Sequence, residues 1–409
     1  MFSRFLPAAL ALAAMLPALG SAASLDLDQA LELAAQRSQA ARAARSGAAG
    51  AAEAARAAGQ LPDPMLGVGI DNLPVTGADR LRTTADSMTM KRVGISQEWV
   101  SSEKRALRQA AAQAQVGREA LAEQVAVAEA RLQAALAYLD AYFAGESFRL
   151  TTLAEHHVHE EAEAAKARLS ASTGNSQEVL QATAARGVAE DESAEMQQMQ
   201  SAALASLQRW VGLRPDELAM PALPTVPSEQ AYVAAHPAVL QALREIELAR
   251  AEASATAANR RPNWTWQASY GQRTGFPDMV SIGVNIPLPV SPGERQDRET
   301  AAKLALVEKA EAGLEGASRM ATAEYRALAS DAQRLAQRGE RYRTGVVVPA
   351  RQRTQAALAG YRSNQLPLMT LFEARHAEVD TLRKHLNLRR DLAKVQAQLT
   401  FKPIPGVAR

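Results

Sequence analysis

Four short stretches of the chain alternate apolar and polar residues, and each adjoins a long helical segment. Trp264, Trp266, Ala268 and Tyr270 interleave with Asn263, Thr265, Gln267 and Ser269, and Val280, Ile282, Val284 and Ile286 interleave with Ser281, Gly283 and Asn285. Earlier, Leu66, Val68 and Ile70 alternate with Gly67, Gly69 and Asp71, and Val93, Ile95, Gln97 and Trp99 with Gly94, Ser96 and Glu98. A period of two puts each apolar set on one face of a strand and each polar set on the other. Runs of about ten residues match a tilted strand crossing a bilayer. Apolar outside and polar inside is the pattern of a membrane barrel with a wet lumen. Near Met88, Met90 and Lys91 the phase slips, which marks the loop end of the second strand.

Between these strands the pattern is helical. Leu27 to Gly59 predicts one helix, ended by Leu61-Pro62-Asp63-Pro64. From Ser102 to about Ser170 there is no proline, and a helix of that length spans roughly 100 Å. The polar break Ser172-Thr173-Gly174-Asn175-Ser176 turns the chain into a return helix reaching about Trp210. Then the plan repeats: a helix over Pro237–Asn259, strands over Asn263–Arg273 and Met279–Pro289, a long helix over Gly293–Ala359, a break at Tyr361–Pro367 and a return helix to about Leu399. Pro62 corresponds to Pro262, Gly94 to Gly283 and Ala182 to Ala374, the mark of an internal duplication. Pro349 falls inside the second long helix and is expected to kink it. The organisation is thus a signal peptide at 1–23, a first repeat at 24–214, a proline-rich linker at 215–234, a second repeat at 235–400 and a tail at 401–409. The fold class is mainly α with a small β part.

Composition narrows the function. The N-terminus has a basic Arg4, an Ala/Leu-rich core and small residues up to Ala22 and Ala23, as in a cleaved secretory signal. There is no cysteine, which removes disulfides, thiol catalysis, thiolate metal sites and a lipidated Cys anchor. After the signal no apolar run reaches eighteen residues, so no transmembrane helix is expected. A formal charge of +2 argues against nucleic acid as a partner. No nucleophile elbow, P-loop or HExxH occurs, so an enzyme is not expected, nor a cofactor. Four strands cannot close a barrel, and an open sheet edge in lipid leaves backbone groups unsatisfied. The working unit is therefore expected to hold several copies: two give a barrel filled by side chains, three one with a lumen.

The duplicated layout resembles the TolC family of outer-membrane efflux proteins over essentially the whole mature chain. It is most similar to the CzcC-type branch of heavy-metal RND systems. The resemblance is carried by PDPMLGVGIDNLP (62–74), GISQEWVSSEKR (94–105), RRPNWTWQASYGQR (260–273), the run DMVSIGVNIPLPV…RQDRETAAKLALVEKA (278–310), EVLQA (178–182) and Tyr361 followed by TLFEA (370–374). It implies a homotrimer with a twelve-stranded β-barrel in outer-membrane lipid, continued by a periplasmic α-helical barrel. It also implies a periplasmic adaptor (membrane fusion protein) and an inner-membrane RND transporter as partners. The function implied is a passive duct for heavy-metal cations. A drug-efflux or type I secretion duct of the same fold is the alternative within transport. A soluble periplasmic coiled-coil adaptor is the alternative from another class, and it lacks four bilayer-length strands.

The same resemblance makes the turns the adaptor-docking tips: Ser172, Thr173, Gly174, Asn175 and Ser176, then Tyr361, Arg362, Ser363 and Asn364. Asn364 stands where the family usually has a glycine, and Asn tolerates left-handed geometry. Glu178, Thr370 and Glu373 lie just inside the return helices and are the aperture candidates. Thr370 replaces an acid found in some relatives, which leaves Glu373 as the candidate carboxylate ring. Trp99, Trp264, Trp266 and Tyr270 fit an interfacial aromatic belt. His156, His157 and His159, with nearby glutamates, form the one cluster of metal-ligand types. Two readings fit it, transient capture of a cation or a solvated helical surface, and the second is the simpler. Lys104-Arg105 and Glu294-Arg295 open the long helices and read as solvated or inter-helix charges.

Overall fold

The computed structural model describes residues 24–406; the expected signal peptide lies outside them. Nine helices and four strands are found among the described residues. The first repeat holds α1 (Leu27–Arg37), α2 (Gln39–Ala58), β1 (Met65–Asp71), β2 (Met90–Trp99), α3 (Ser102–Ser170) and α4 (Ser176–Val211). α5 (Glu229–Ala234) lies in the linker. The second repeat holds α6 (Pro237–Ala257), β3 (Trp264–Gln272), β4 (Met279–Asn285), α7 (Gln296–Tyr342), α8 (Val348–Arg362) and α9 (Leu368–Phe401). The four strands make one antiparallel sheet in chain order, open at β1 and β4. Among the described residues no helix is long and apolar enough to cross a membrane.

The 69 residues of α3 form a rod of roughly 100 Å. α1, α2 and α4 pack along it on one side, α6 and α9 on the other, and α7 lies against α6 and α9. Alanine is what lets the rods approach. Ala134, Ala135, Ala137 and Ala141 of α3 join Ala30, Ala34, Leu207, Val211 and Ala397 in the largest apolar cluster. At its centre Tyr138 is fully buried, and its hydroxyl hydrogen is shared between the carbonyls of Ala219 (2.6 Å) and Leu25 (2.8 Å). Burial holds that hydroxyl protonated well above the usual tyrosine range. The same strap is closed by Ala219 N–H donating to Leu25 O at 2.9 Å and Leu25 N–H to Glu217 O at 3.0 Å.

A second buried node ties the linker to the other repeat. Tyr232 donates to Glu324 Oε1 (3.1 Å), and Lys402 pairs with the same carboxylate. His236 caps α6 by accepting from Ala238 N–H at 3.2 Å, and burial lowers its pKa. Beyond it, Ile404 N–H donates to Ala235 O at 2.9 Å, fixing the tail.

Four sequence expectations need correction. The helix expected over Leu27–Gly59 is two helices, because Ser38 adopts φ −58°, ψ 112° and its hydroxyl accepts from Ala41 N–H at 3.1 Å. The last strand stops at Asn285 rather than Pro289, since Pro287 and Pro289 have no N–H to donate to a ladder. The helix expected over Pro237–Asn259 ends at Ala257 and is followed by a single 3-10 turn over Ala258–Arg260. The second long helix starts at Gln296, and a π turn over Arg343–Val347 divides α7 from α8. Pro349 follows this turn; the expected kink takes the form of a π bulge, which absorbs the missing donor and the ring clash one turn upstream.

Removing the Tyr138 hydroxyl leaves the Ala219 carbonyl buried without its donor. Tyr138→Phe is expected to lower the local opening free energy by about 1–2 kcal/mol. Hydrogen exchange over Leu25–Leu31 should accelerate, while protection at the hairpin turns stays unchanged.

Candidate functional site

The strand register sorts every side chain onto one of two faces. In an antiparallel ladder, directly opposed residues share a face. Trp99 opposes Trp264; Gln97, Trp266 and Val284 form the next row; then come Leu66, Ile95, Ala268 and Ile282, followed by Val68, Val93, Tyr270 and Val280. The other face carries Met65, Ser96, Gln267 and Gly283, then Gly67, Gly94, Ser269 and Ser281. Polar and glycine positions thus gather on one side and large apolar groups on the other. At Gly94 glycine is required, because a Cβ there would sit 2.7 Å from that of Ser269. Among the described residues nothing covers the apolar face: Leu66 is 74% exposed, Val68 79% and Ile282 82%. A patch of this kind marks contact with another apolar phase.

The aromatic residues lie at the ends of that face. Trp99 and Trp264 stand beside the helices with Trp266 one row out, and Tyr270 lies near the far hairpin, where it donates to Asp278. The ten residues of β2 extend roughly 33 Å, and a tilt near 40° reduces this to roughly 25 Å, the height of a barrel's apolar band. On the polar face Arg92 and Asp71 pair at 2.9 Å.

At the helix–sheet junction, Lys104 is buried at 5% exposure instead of being solvated. Its Nζ donates to Asn263 Oδ1 at 2.8 Å, and Asn263 Nδ2 donates to Glu98 Oε1 at 2.7 Å. Burial lowers the lysine pKa, Arg108 lowers it further, and Glu98 opposes both. This chain of contacts welds the start of α3 to β2 and β3.

The two hairpin turns are built alike. Thr173 and Gly174 N–H groups both donate to Arg168 O, and Gln365 and Leu366 N–H groups both donate to Gly360 O. Ser172 (φ +59°) and Asn364 (φ +56°) hold matching left-handed positions. Gly174 packs so closely that a Cβ would meet Leu169 N at 3.0 Å. Thr173 and Ser363 hydroxyls donate to the Arg168 and Gly360 carbonyls, respectively. Asn175 caps α4 by accepting from Glu178 N–H at 2.8 Å, and Ser176 is the first residue of that helix. Arg362 is exposed at the end of α8.

Above the turns, the two hairpins grip each other through Ala162, Ala182, Leu368, Leu371, Phe372 and neighbouring small residues. Arg168 pairs with Glu178 and lies over the Tyr361 ring, 5.2 Å from its centroid. Arg375 of α9 pairs with Glu161 of α3. Glu161 is 9% exposed, and its Oε2 has no partner. Burial raises its pKa to about 7 even against the pull of Arg375. Sequence reasoning placed Glu161 only among the glutamates beside the histidines and missed Arg168 and Arg375, because pairs between separate helices leave no periodic signal. Glu373 is exposed on α9, and Thr370 is half-buried with its N–H donating to Pro367 O at 3.1 Å. Among the described residues Glu373 has no ion-pair partner within the chain, whereas Glu178 is taken up by Arg168.

The histidines do not converge. His156 and His157 each face Glu160, at 3.3 and 3.6 Å, and His159 is exposed. Among the described residues no three His, Cys, Asp or Glu side chains gather as a metal-ligand set.

No protein-family model matches the chain, and no curated protein matches its sequence. Solved structures do match its fold. The outer membrane protein VceC of Vibrio cholerae is 18% identical, with 92% of this chain and 96% of VceC covered at a TM-score of 0.72. For the open-state MtrE outer membrane channel of Neisseria gonorrhoeae the identity is 14%, the coverage 92% and 88%, and the TM-score 0.76. For the CmeC outer membrane channel of Campylobacter jejuni the values are 13%, 92% and 85%, and 0.74. At such identities the likeness is one of fold, and the fold is that of TolC-like channels.

Two outcomes test this geometry. Trp266→Arg places a cation on the apolar face, where lipid exposure costs about 2–4 kcal/mol near the bilayer centre and less toward the interface. Gln267→Arg places it on the polar face. The first is expected to abolish assembly in membranes and the second to leave it intact; equal yields would reverse the two faces.

For Glu161 the sign follows from its raised pKa. Between the ordinary carboxylate value of 4.5 and about 7, the folded tip holds a proton that the opened tip has lost. Stability there falls as pH rises through that window and is level above it. Protection of Val158–Ala165, corrected for intrinsic exchange, is expected to decrease from pH 5 to pH 8 in the wild type but not in Glu161→Gln.

Proposed function

We propose that this chain forms, as a homotrimer, the outer-membrane duct of a tripartite efflux system. The carrying observation is a sheet with one bare apolar face and two unpaired edges, mounted on helices roughly 100 Å long. In lipid those edges must be paired. β1 and β4 each have seven residues and run antiparallel, so β4 of one copy continues into β1 of the next. Three chains of four strands give twelve, enough for a lumen, which the polar, glycine-rich face lines. The helices then extend the pore through the periplasm. The turns at 172–176 and 361–367 meet a periplasmic adaptor, with an inner-membrane RND transporter beyond it.

The duct is passive, and its energy comes from that transporter. We assign heavy-metal cations as cargo on two grounds: the segments that resemble the CzcC-type branch, and the free carboxylate of Glu373. Three copies of Glu373 near the tip make a negative constriction, attracting cations over a screening distance of about 8–10 Å. Conduction needs sites that release as readily as they bind, so scattered histidines serve it better than a closed metal site.

Purified mature protein in planar bilayers is expected to show cation-selective conductance from heat-sensitive trimers. Glu373→Gln should lower the selectivity without altering trimer yield. Unchanged selectivity with weaker trimers would make Glu373 a helix-contact residue, and a folded, non-conducting monomer would remove the duct reading itself.

A further inference from the structure

The two outermost helices below the mid-level carry opposite charge there, and among the described residues nothing covers the outer side of either. α4 has α3 as its main neighbour, and α7 lies at the other extreme against α6 and α9. α4 contains five acidic residues and two arginines. Residues 334–343 at the lower end of α7 contain four arginines and one glutamate. α4 buries Ala182, Ser193, Met196 and Leu207, and at 100° per residue Asp191 and Glu195 fall on the opposite side. Both are exposed. On α7 the covered positions Ala332, Leu335 and Gly339 lie on one side, and Arg334, Arg338 and Arg341 are exposed away from them. Other charges nearby are used within the chain: Arg186 with Glu190, Glu192 near His376, and Arg343 with Glu340. Among the described residues Asp191, Glu195, Arg334, Arg338 and Arg341 have no such partner.

The heights agree. Glu195 is nineteen residues beyond Ser176, roughly 28 Å above the turn. Arg341 is twenty-one residues before Arg362, roughly 32 Å above its own turn. An arginine side chain bridges the difference.

We propose that Asp191 and Glu195 on α4 of one protomer meet Arg338 and Arg341 on α7 of the next, forming a charged seam at this level of the tube. The occupant of each face is a second copy of this chain. The contact joins two different patches, so it is head-to-tail, and three such contacts close a ring. The seam rests on the trimeric reading above. One exposed ion pair contributes little by itself. The seam instead selects: acidic α4 against the basic lower end of α7 is favourable, and either patch against its own kind is repelled.

The absence of cysteine makes the test clean in the full-length protein. In Glu195→Cys/Arg341→Cys, a short bis-maleimide is expected to give a ladder of covalent dimers and trimers on denaturing gels, and each single variant none. At low salt, Glu195→Arg and Arg341→Glu should each cut the trimer fraction severalfold, and the two reversals combined should restore it. Trimers that give no ladder overturn the seam and leave the duct reading standing. A ladder with reversals that change nothing overturns its electrostatic basis. A monomer in membranes overturns both.

Discussion

An unpaired strand edge in hydrocarbon leaves a row of N–H and C=O groups with neither water nor protein to bond, at several kcal/mol for each group. For a sheet whose outer face is Leu, Val, Ile and Trp, that penalty governs everything else. It forbids an open sheet of this kind from sitting alone in a bilayer, and in the proposed trimer it makes β1 and β4 complementary halves of a joint. In the proposed barrel the polar face is the inner one, where Gly67, Gly94 and Gly283 let strands curve and approach. The edge is the reason this protein is proposed to work only in company.

The shaft meets a different problem. Helices of this length cannot be held by their ends, so the contacts are spaced along them. The weld of Lys104, Asn263 and Glu98 fixes the top, and Tyr138 and the Tyr232–Glu324–Lys402 group fix the middle. Small residues around Phe372 fix the bottom. The bottom is the marginal level. Its Arg375–Glu161 pair spans the two hairpins, and the Glu161 carboxylate has one oxygen without a partner, so this end gives up least on opening. A tip proposed to meet other proteins would be drawn from such a region.

The two repeats are alike at their turns and unlike between them. Both turns close through the same carbonyl and the same left-handed position. α3 runs unbroken, whereas its counterpart is divided by the π turn before Pro349. Charge diverges too, acidic on α4 and basic on lower α7. In the proposed trimer, this divergence makes the two sides of one protomer different enough to recognise each other.

The sequence by itself determined the elements whose signal is local. The alternation of Trp264 through Tyr270 fixed a strand and its lipid-ready face, because side-chain direction there depends only on parity. The unbroken run from Ser102 to about Ser170 fixed the long helix, because no proline or break competes with it. Asn364 in the left-handed turn was legible for the same reason. Only the tertiary structure decided what depends on partners distant in the chain. It showed that Lys104 is buried, that Glu178 is held by Arg168 while Glu373 is free, and that Glu161 faces Arg375. It also ended β4 at Asn285 and put a π turn where a kink was expected. A charge read along the chain looks the same whether it faces water, an opposite charge or another helix. Only the packing of the rods tells these apart.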